Sequence, residues 1–185
     1  MNEFIGIVLG LINHVFDADA AHGAAGVTAL LHKGRIVLIA DTLVHEWPDA
    51  EDLATIAERA ASVARQLGLE PRVAFVSFST FGHPISERAE KMQLAPKVLD
   101  AREVDFEYEG EMGAHTARNE NLMNLYPFCK LSGPANLLIM PAIHSASIST
   151  KMLQELGGGN LVGPYLVGFK AVSYTHLTLP TKRIV

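Results

Sequence analysis

The chain has 185 residues, enough for one domain and a fraction of another. Apolar residues make up 49% and charged residues 19%, a balance that excludes a disordered chain and suits a globular core. A net charge of −5 supplies no concentrated basic surface, so nucleic acid is not an expected partner.

Phe4–Ile12 is apolar but too short to span a bilayer, and Glu3 stands where a signal peptide would carry basic residues. A buried helix or strand is the better reading, and no membrane partner is expected. Val27–Leu31 and Arg35–Ala40 are apolar runs separated by His32-Lys33-Gly34, which predicts an antiparallel hairpin. Asp41-Thr42 ends the second strand, and Val44–Pro48 is a connection. Asp49 then caps a helix with Glu51 and Asp52 in its first turn. Leu53, Ile56, Ala57, Ala60, Val63, Ala64 and Leu67 form its apolar face, and Gly68 stops it.

Arg72–Ser79 reads as a buried strand running into a turn at Thr80–Pro84. A helix capped by Ser86 follows through Lys91 and Val98, with Pro96 expected to kink or divide it. Val104–Tyr108 is a short strand ending at Glu109-Gly110-Glu111. His115–Leu125 is expected to be helical, 126–134 a loop, Asn136–Met140 a strand, Ser147–Leu156 a helix and Leu161–Gly168 the last strand. This alternation predicts a three-layer α/β domain, a parallel sheet with helices on both faces and a hairpin. Ligands of such sheets bind beyond the carboxyl ends of the strands, here Ser77–Gly82, Glu109–Met112, Pro141–Ser147 and Gly163–Gly168.

Ser77, Ser79, Thr80 and Gly82 bring hydroxyls and backbone N–H groups to a strand-to-helix turn, a combination suited to phosphate oxygens. An ordinary loop whose hydroxyls cap the next helix is the alternative. Glu109, Gly110 and Glu111 place two carboxylates around a glycine, either to position a ligand or act as acid and base, or, as the local sequence favours, as a solvated turn. Gly157-Gly158-Gly159 lacks dinucleotide-binding spacing and reads as a helix stop. The eight histidines are scattered without zinc-ligand spacing, so no metal site is expected. His83 and His144 lie nearest the ligand edge, as contacts or as polar rim residues. The sole cysteine, Cys129, cannot form an internal disulfide, which is compatible with a reducing, cytoplasmic setting, and a packed thiol is the better reading than a nucleophile. Arg72 and Arg88 flank the Ser77–Gly82 segment, where surface ion pairs are their expected fate.

Several stretches together resemble the phosphate acetyl/butyryltransferase family: Ile39–Thr42, the helix after Pro48-Asp49, Glu70–Gly82, Tyr108–Met112, Leu131–Asn136 and Leu156 to Pro164. Their order and spacing match from about Gly26 to Lys170. Within the family the wording is similar to the C-terminal region of bacterial NADP-dependent malic enzymes, at His45–Pro48, Tyr126–Gly133 and His144–Ser149. Phosphotransacetylases usually carry Asn-Ala-Gly-Asn-Ile at the last of these, and here Ser147 replaces the second Asn.

The resemblance implies the second of two α/β domains of an isocitrate/isopropylmalate dehydrogenase-like fold, with a cleft between the domains and dimer contacts made largely by the second. It places Ser77, Ser79, Thr80, Gly82, Glu109, Gly110, Glu111, His144 and Ser147 near an acyl-CoA or phosphate ligand. The family's Ser-Arg-Gly segment, which supports acetyl transfer, would follow Phe169, and no catalytic position is assigned. Residues 1–25 are expected to be a linker or remnant of a preceding domain, 26–170 the domain itself, and 171–185 a non-native tail similar to a translated library adapter. The implied function is an acyl-CoA-binding regulatory and dimerisation region, inactive alone and binding acetyl-CoA without a cofactor of its own. The implied parent oxidises malate with NADP and a divalent metal (Mg or Mn). Acetyl transfer between phosphate and CoA is the alternative, and a purely structural dimerisation domain the third.

Overall fold

A computed structural model of the chain describes residues 23–157 and 159–168; the readings of Phe4–Ile12 and of 171–185 lie outside them. β1 (Ala25–His32) and β2 (Arg35–Ala40) form the expected hairpin, with His32 opposite Arg35. Lys33 and Gly34 between them both take left-handed backbone, at φ 49° and 73°, as a tight primed turn requires. α1 (Ala50–Gln66) begins with a capping box: Asp52 N–H donates to Asp49 Oδ1 at 2.9 Å, and Asp49 N–H to Asp52 Oδ2 at 3.1 Å. It ends where Gly68 N–H reaches the Arg65 carbonyl and Leu69 N–H the Ala64 carbonyl, each at 2.9 Å. Leu53, Ile56 and Val63 are buried on its inner face, each stabilising the fold by about 1.5–3 kcal/mol.

The remaining elements are β3 (Arg72–Val76), α2 (Glu87–Arg102), β4 (Glu107–Met112), α3 (Ala114–Arg118), α4 (Glu120–Met123), β5 (Leu137–Ile139), α5 (Ile143–Gly157) and β6 (Asn160–Val167). The six strands form one sheet in the order β4-β3-β5-β2-β1-β6. β2, β5, β3 and β4 are parallel, as the alternation of elements predicts. Their side chains alternate between two cores. Leu38, Val73, Phe75, Leu137 and Ile139 face α1 and α2, whereas Ile39, Ala74, Val76 and Leu138 face α3, α4 and α5. No helix among the described residues is long and apolar enough to cross a membrane.

Four local expectations are corrected. α2 is not divided at Pro96: Met92, Ala95 and Leu99 are buried on both sides of the proline, and their packing outweighs one missing hydrogen bond. The helix expected over His115–Leu125 is two short ones, because Asn119 is extended and its side chain accepts from Asn121 N–H at 3.0 Å. Glu109-Gly110-Glu111 lies inside β4 rather than after it. β6 does not extend the parallel set. It pairs antiparallel with β1, Ala25 opposite Val167, at the sheet edge where Pro164 needs no N–H partner.

Candidate functional site

Parallel strands deliver their carboxyl ends to one edge, and there β3 and β4 bring most of the predicted residues together. The Ser79 hydroxyl donates to Glu111 Oε1 at 2.8 Å, and Gly82 N–H donates to the same oxygen at 2.8 Å. Ser77 Oγ lies 3.2 Å from Ser79 Oγ, and Gly113 N–H donates to Thr80 Oγ1 at 2.9 Å. Phe81 N–H closes the join on the Glu111 carbonyl at 2.8 Å. Ser79 is fully buried and Glu111 is 2% exposed, so this carboxylate is no part of a solvated turn. Glu109, also buried, points elsewhere: its carboxylate accepts from Lys130 N–H at 3.0 Å and holds the 126–134 loop against β4. That loop returns Tyr126 and Phe128 to the Phe81 ring, with centroids 5.0 and 4.8 Å away. Cys129 lies in the same loop, half-buried, and burial pushes its thiol up, the reverse of what a thiolate nucleophile needs.

His144 and Ser147 sit on the first turns of α5, His144 exposed and Ser147 half-exposed, and neither side chain bonds to the Ser79–Glu111 cluster. His83 is exposed, and its backbone pairs with Thr80. The Gly163–Gly168 segment reaches the same edge of the sheet, since β6 runs in the direction of β2, but β5, β2 and β1 stand between it and the β3–β4 cluster. Arg72 starts β3 at the opposite edge, where it donates to the Pro134 carbonyl at 3.1 Å instead of forming a surface ion pair.

Two functional-edge residues escaped the sequence reading. Asp41 stands at the carboxyl end of β2, the strand end left out of the prediction. Its carboxylate accepts from the N–H groups of Gly26, Leu43, Val44 and His45, and from His45 Nδ1 at 2.6 Å. The signal was present, since an aspartate directly after a buried parallel strand lies at the ligand edge. Lys91, on α2, had no such signal. Its ammonium donates to the Pro48 and Pro141 carbonyls at 3.1 and 2.7 Å, tying the loops after β2 and β5, and burial lowers its pKa. Lys91 lines an open groove of about 1260 Å³ with Trp47, Ser77, Phe78, Leu94 and Pro141.

Burial pushes the Asp41 carboxyl up, but the His45 ring and the surrounding N–H groups outweigh it and hold the group below its ordinary 3.8. The same bond raises the His45 imidazole above its ordinary 6.5, against the opposing effect of burial. Asp41 therefore contributes stability that is lost as pH falls through its lowered folded value. His45 contributes stability that is complete below 6.5 and lost as pH rises through its raised folded value. The melting temperature of wild type minus that of His45→Gln, which cannot ionise, is expected to be largest below the ordinary imidazole value and to shrink as pH rises through the raised folded one. A difference independent of pH would overturn this assignment.

The family described as phosphate acetyl/butaryl transferase matches residues 11–175. An NADP-dependent malic enzyme of Rhizobium meliloti is 57% identical over 94% of this chain and 23% of its own length. A phosphate acetyltransferase of Thermoanaerobacterium thermosaccharolyticum is 36% identical over 74% of this chain and 42% of its own. Among solved structures, the EutD phosphotransacetylase from Staphylococcus aureus superposes with a TM-score of 0.74 at 29% identity, covering 80% of this chain and 46% of that one. The chain thus spans about a quarter of the first relative and less than half of the other two. With a family match across most of its length and the same sheet in a solved phosphotransacetylase, this chain belongs to the phosphate acetyl/butaryl transferase family.

Proposed function

We propose that this chain is the acyl-CoA-binding regulatory and dimerisation region of a cytoplasmic NADP-dependent malic enzyme, whose other region oxidises and decarboxylates malate with NADP and a divalent metal. The observation that carries the reading is the state of two donors, the Ser79 hydroxyl and Gly82 N–H, at the end of β3. Transfer of an acetyl group needs donors aimed at the oxygen that develops negative charge. Here the Ser79 hydroxyl and Gly82 N–H are already bonded to Glu111. Such an edge suits a ligand that is held rather than converted. Its phosphates would meet Ser77 and Thr80 at the strand end, with His144 and Ser147 on the rim, and its acyl-pantetheine portion the groove of Trp47, Phe78 and Leu94.

Dimerisation is supported by α5, which buries only Ala146 and Thr150. Ile148, Met152 and Leu156 recur at four-residue spacing on it, exposed by 58%, 54% and 81%, a stripe that a second copy would cover. Regulation further requires that acyl-CoA bind two states of the parent with different affinity.

The test is a titration of malate oxidation by acetyl-CoA in the full-length protein, with acetyl transfer from acetyl phosphate to CoA assayed alongside. Malate activity that responds to acetyl-CoA, with no transfer, is the expected result. Transfer without malate activity supports the phosphate acetyltransferase reading instead.

A further inference from the structure

At the edge of the sheet opposite the candidate site, three arginines meet. Arg35 opens β2, Arg72 opens β3 and Arg118 closes α3. All three line one cavity of about 720 Å³, together with Asn119, Glu120 and Asn136. The two half-buried guanidiniums are fixed in place: Arg72 Nε donates to the Pro134 carbonyl at 3.1 Å, and Arg118 Nη1 donates to the Ala135 carbonyl. Asn136 locks the floor by accepting from Arg72 N–H at 2.8 Å and donating to the Glu70 carbonyl at 2.7 Å. Arg65 and Arg102 are neutralised by Asp105 and by Glu51 and Glu58, whereas none of these three arginines forms an ion pair among the described residues. Glu120 lines the cavity without pairing with them. Burial lowers the pKa of Arg118, and the charges of Arg35 and Arg72 lower it further, so the like charges are close enough to repel.

Like charges held together by the fold, with donors to spare and space in front, favour an anion there. We propose that the Arg35–Arg72–Arg118 cavity binds a small molecule bearing two or more oxyanion groups, each gripped by a guanidinium fork. Guanidinium geometry matches phosphate and carboxylate alike, so a diphosphate and a polycarboxylate are both within this chemistry. The site is separate from the acyl-CoA edge and does not depend on the reading of that edge.

The experiment is a calorimetric titration of the full chain with inorganic pyrophosphate and, in parallel, with citrate. Four proteins are compared: wild type, Arg35→Glu, Arg118→Lys and Lys151→Glu. Arg35 is exposed, so its reversal leaves the core intact, and an unchanged melting curve verifies this. Lys151, exposed on α5, makes the same change in net charge away from the cavity. Pyrophosphate, citrate or both are expected to bind the wild type, with affinity falling about tenfold or more in Arg35→Glu and in Arg118→Lys but holding in Lys151→Glu. The better ligand of the two assigns the class. Binding that is absent for both anions, or that is equal in wild type and Arg35→Glu, overturns the proposal, the second result placing the anion elsewhere on the protein.

Discussion

Asp41→Ala is expected to lower the free energy of unfolding by about 4 kcal/mol, near the upper end for single substitutions. One 2%-exposed carboxylate organises the first half of the connection from β2 to α1, through His45. Oδ1 accepts from Gly26 N–H and Leu43 N–H, both at 2.8 Å, and Oδ2 accepts from His45 N–H at 2.8 Å as well as from the His45 ring. Truncation orphans these donors, and Gly26 N–H lies where water cannot replace the lost acceptor. Each buried orphan costs about 1–3 kcal/mol, and the exposed part of the loop recovers some of that by solvation. Asp41→Asn, which keeps one acceptor oxygen, is expected to lose about half as much. Urea unfolding with an unchanged slope is the measurement. A loss below about 1 kcal/mol in the alanine variant would falsify the role of Asp41 as the organiser of this loop.

Gly110→Ala is expected to cost about 3 kcal/mol, close to 9 °C in melting temperature for a domain of this size. Gly110 sits in β4 at φ 154°, where a Cβ would lie 2.7 Å from Phe75 Cβ and 2.9 Å from the Phe75 carbonyl oxygen. Phe75 is fully buried in β3, and its backbone is held on both sides by β4 and β5, so it cannot move aside. The strands must separate instead, and with them Glu111 moves from Ser79. Gly133→Ala serves as the control, since the added Cβ would meet only Arg72 Nε at 3.9 Å; its effect is expected within about 0.5 kcal/mol. Equal melting temperatures for the two variants would show that the β3–β4 contact yields more readily than its geometry implies.

The parts of this fold that the sequence revealed are those whose signals are local. α1 carries cap, periodicity and stop within one continuous stretch, and the hairpin carries its turn between two apolar runs. The alternation from β2 to β5 was enough for the parallel sheet and for the edge where Ser77, Ser79 and Glu111 gather. What escaped depends on distant partners. Glu109-Gly110-Glu111 has the composition of a solvated turn, and distant partners make it a buried strand segment: pairing with β3, Ser79 and Gly82 on Glu111, and Lys130 on Glu109. Asp41 looked like a strand terminator because its five donors come from β1 and from the loop it shapes. β6 was assigned to the parallel set by alternation, whereas its pairing with β1 is decided across the whole domain.

The two ends of the sheet also bear on how this protein behaves at high concentration. An unpaired strand edge is a template on which a foreign strand can grow. On the β4 side, Glu107 accepts from Ser132 N–H at 2.9 Å and Glu109 from Lys130 N–H, so the returning loop covers the template with side-chain bonds. On the β6 side, Pro164 removes a donor from the middle of the strand. Among the described residues, neither end offers an uninterrupted ladder, and the sheet is guarded against strand-by-strand aggregation at both limits.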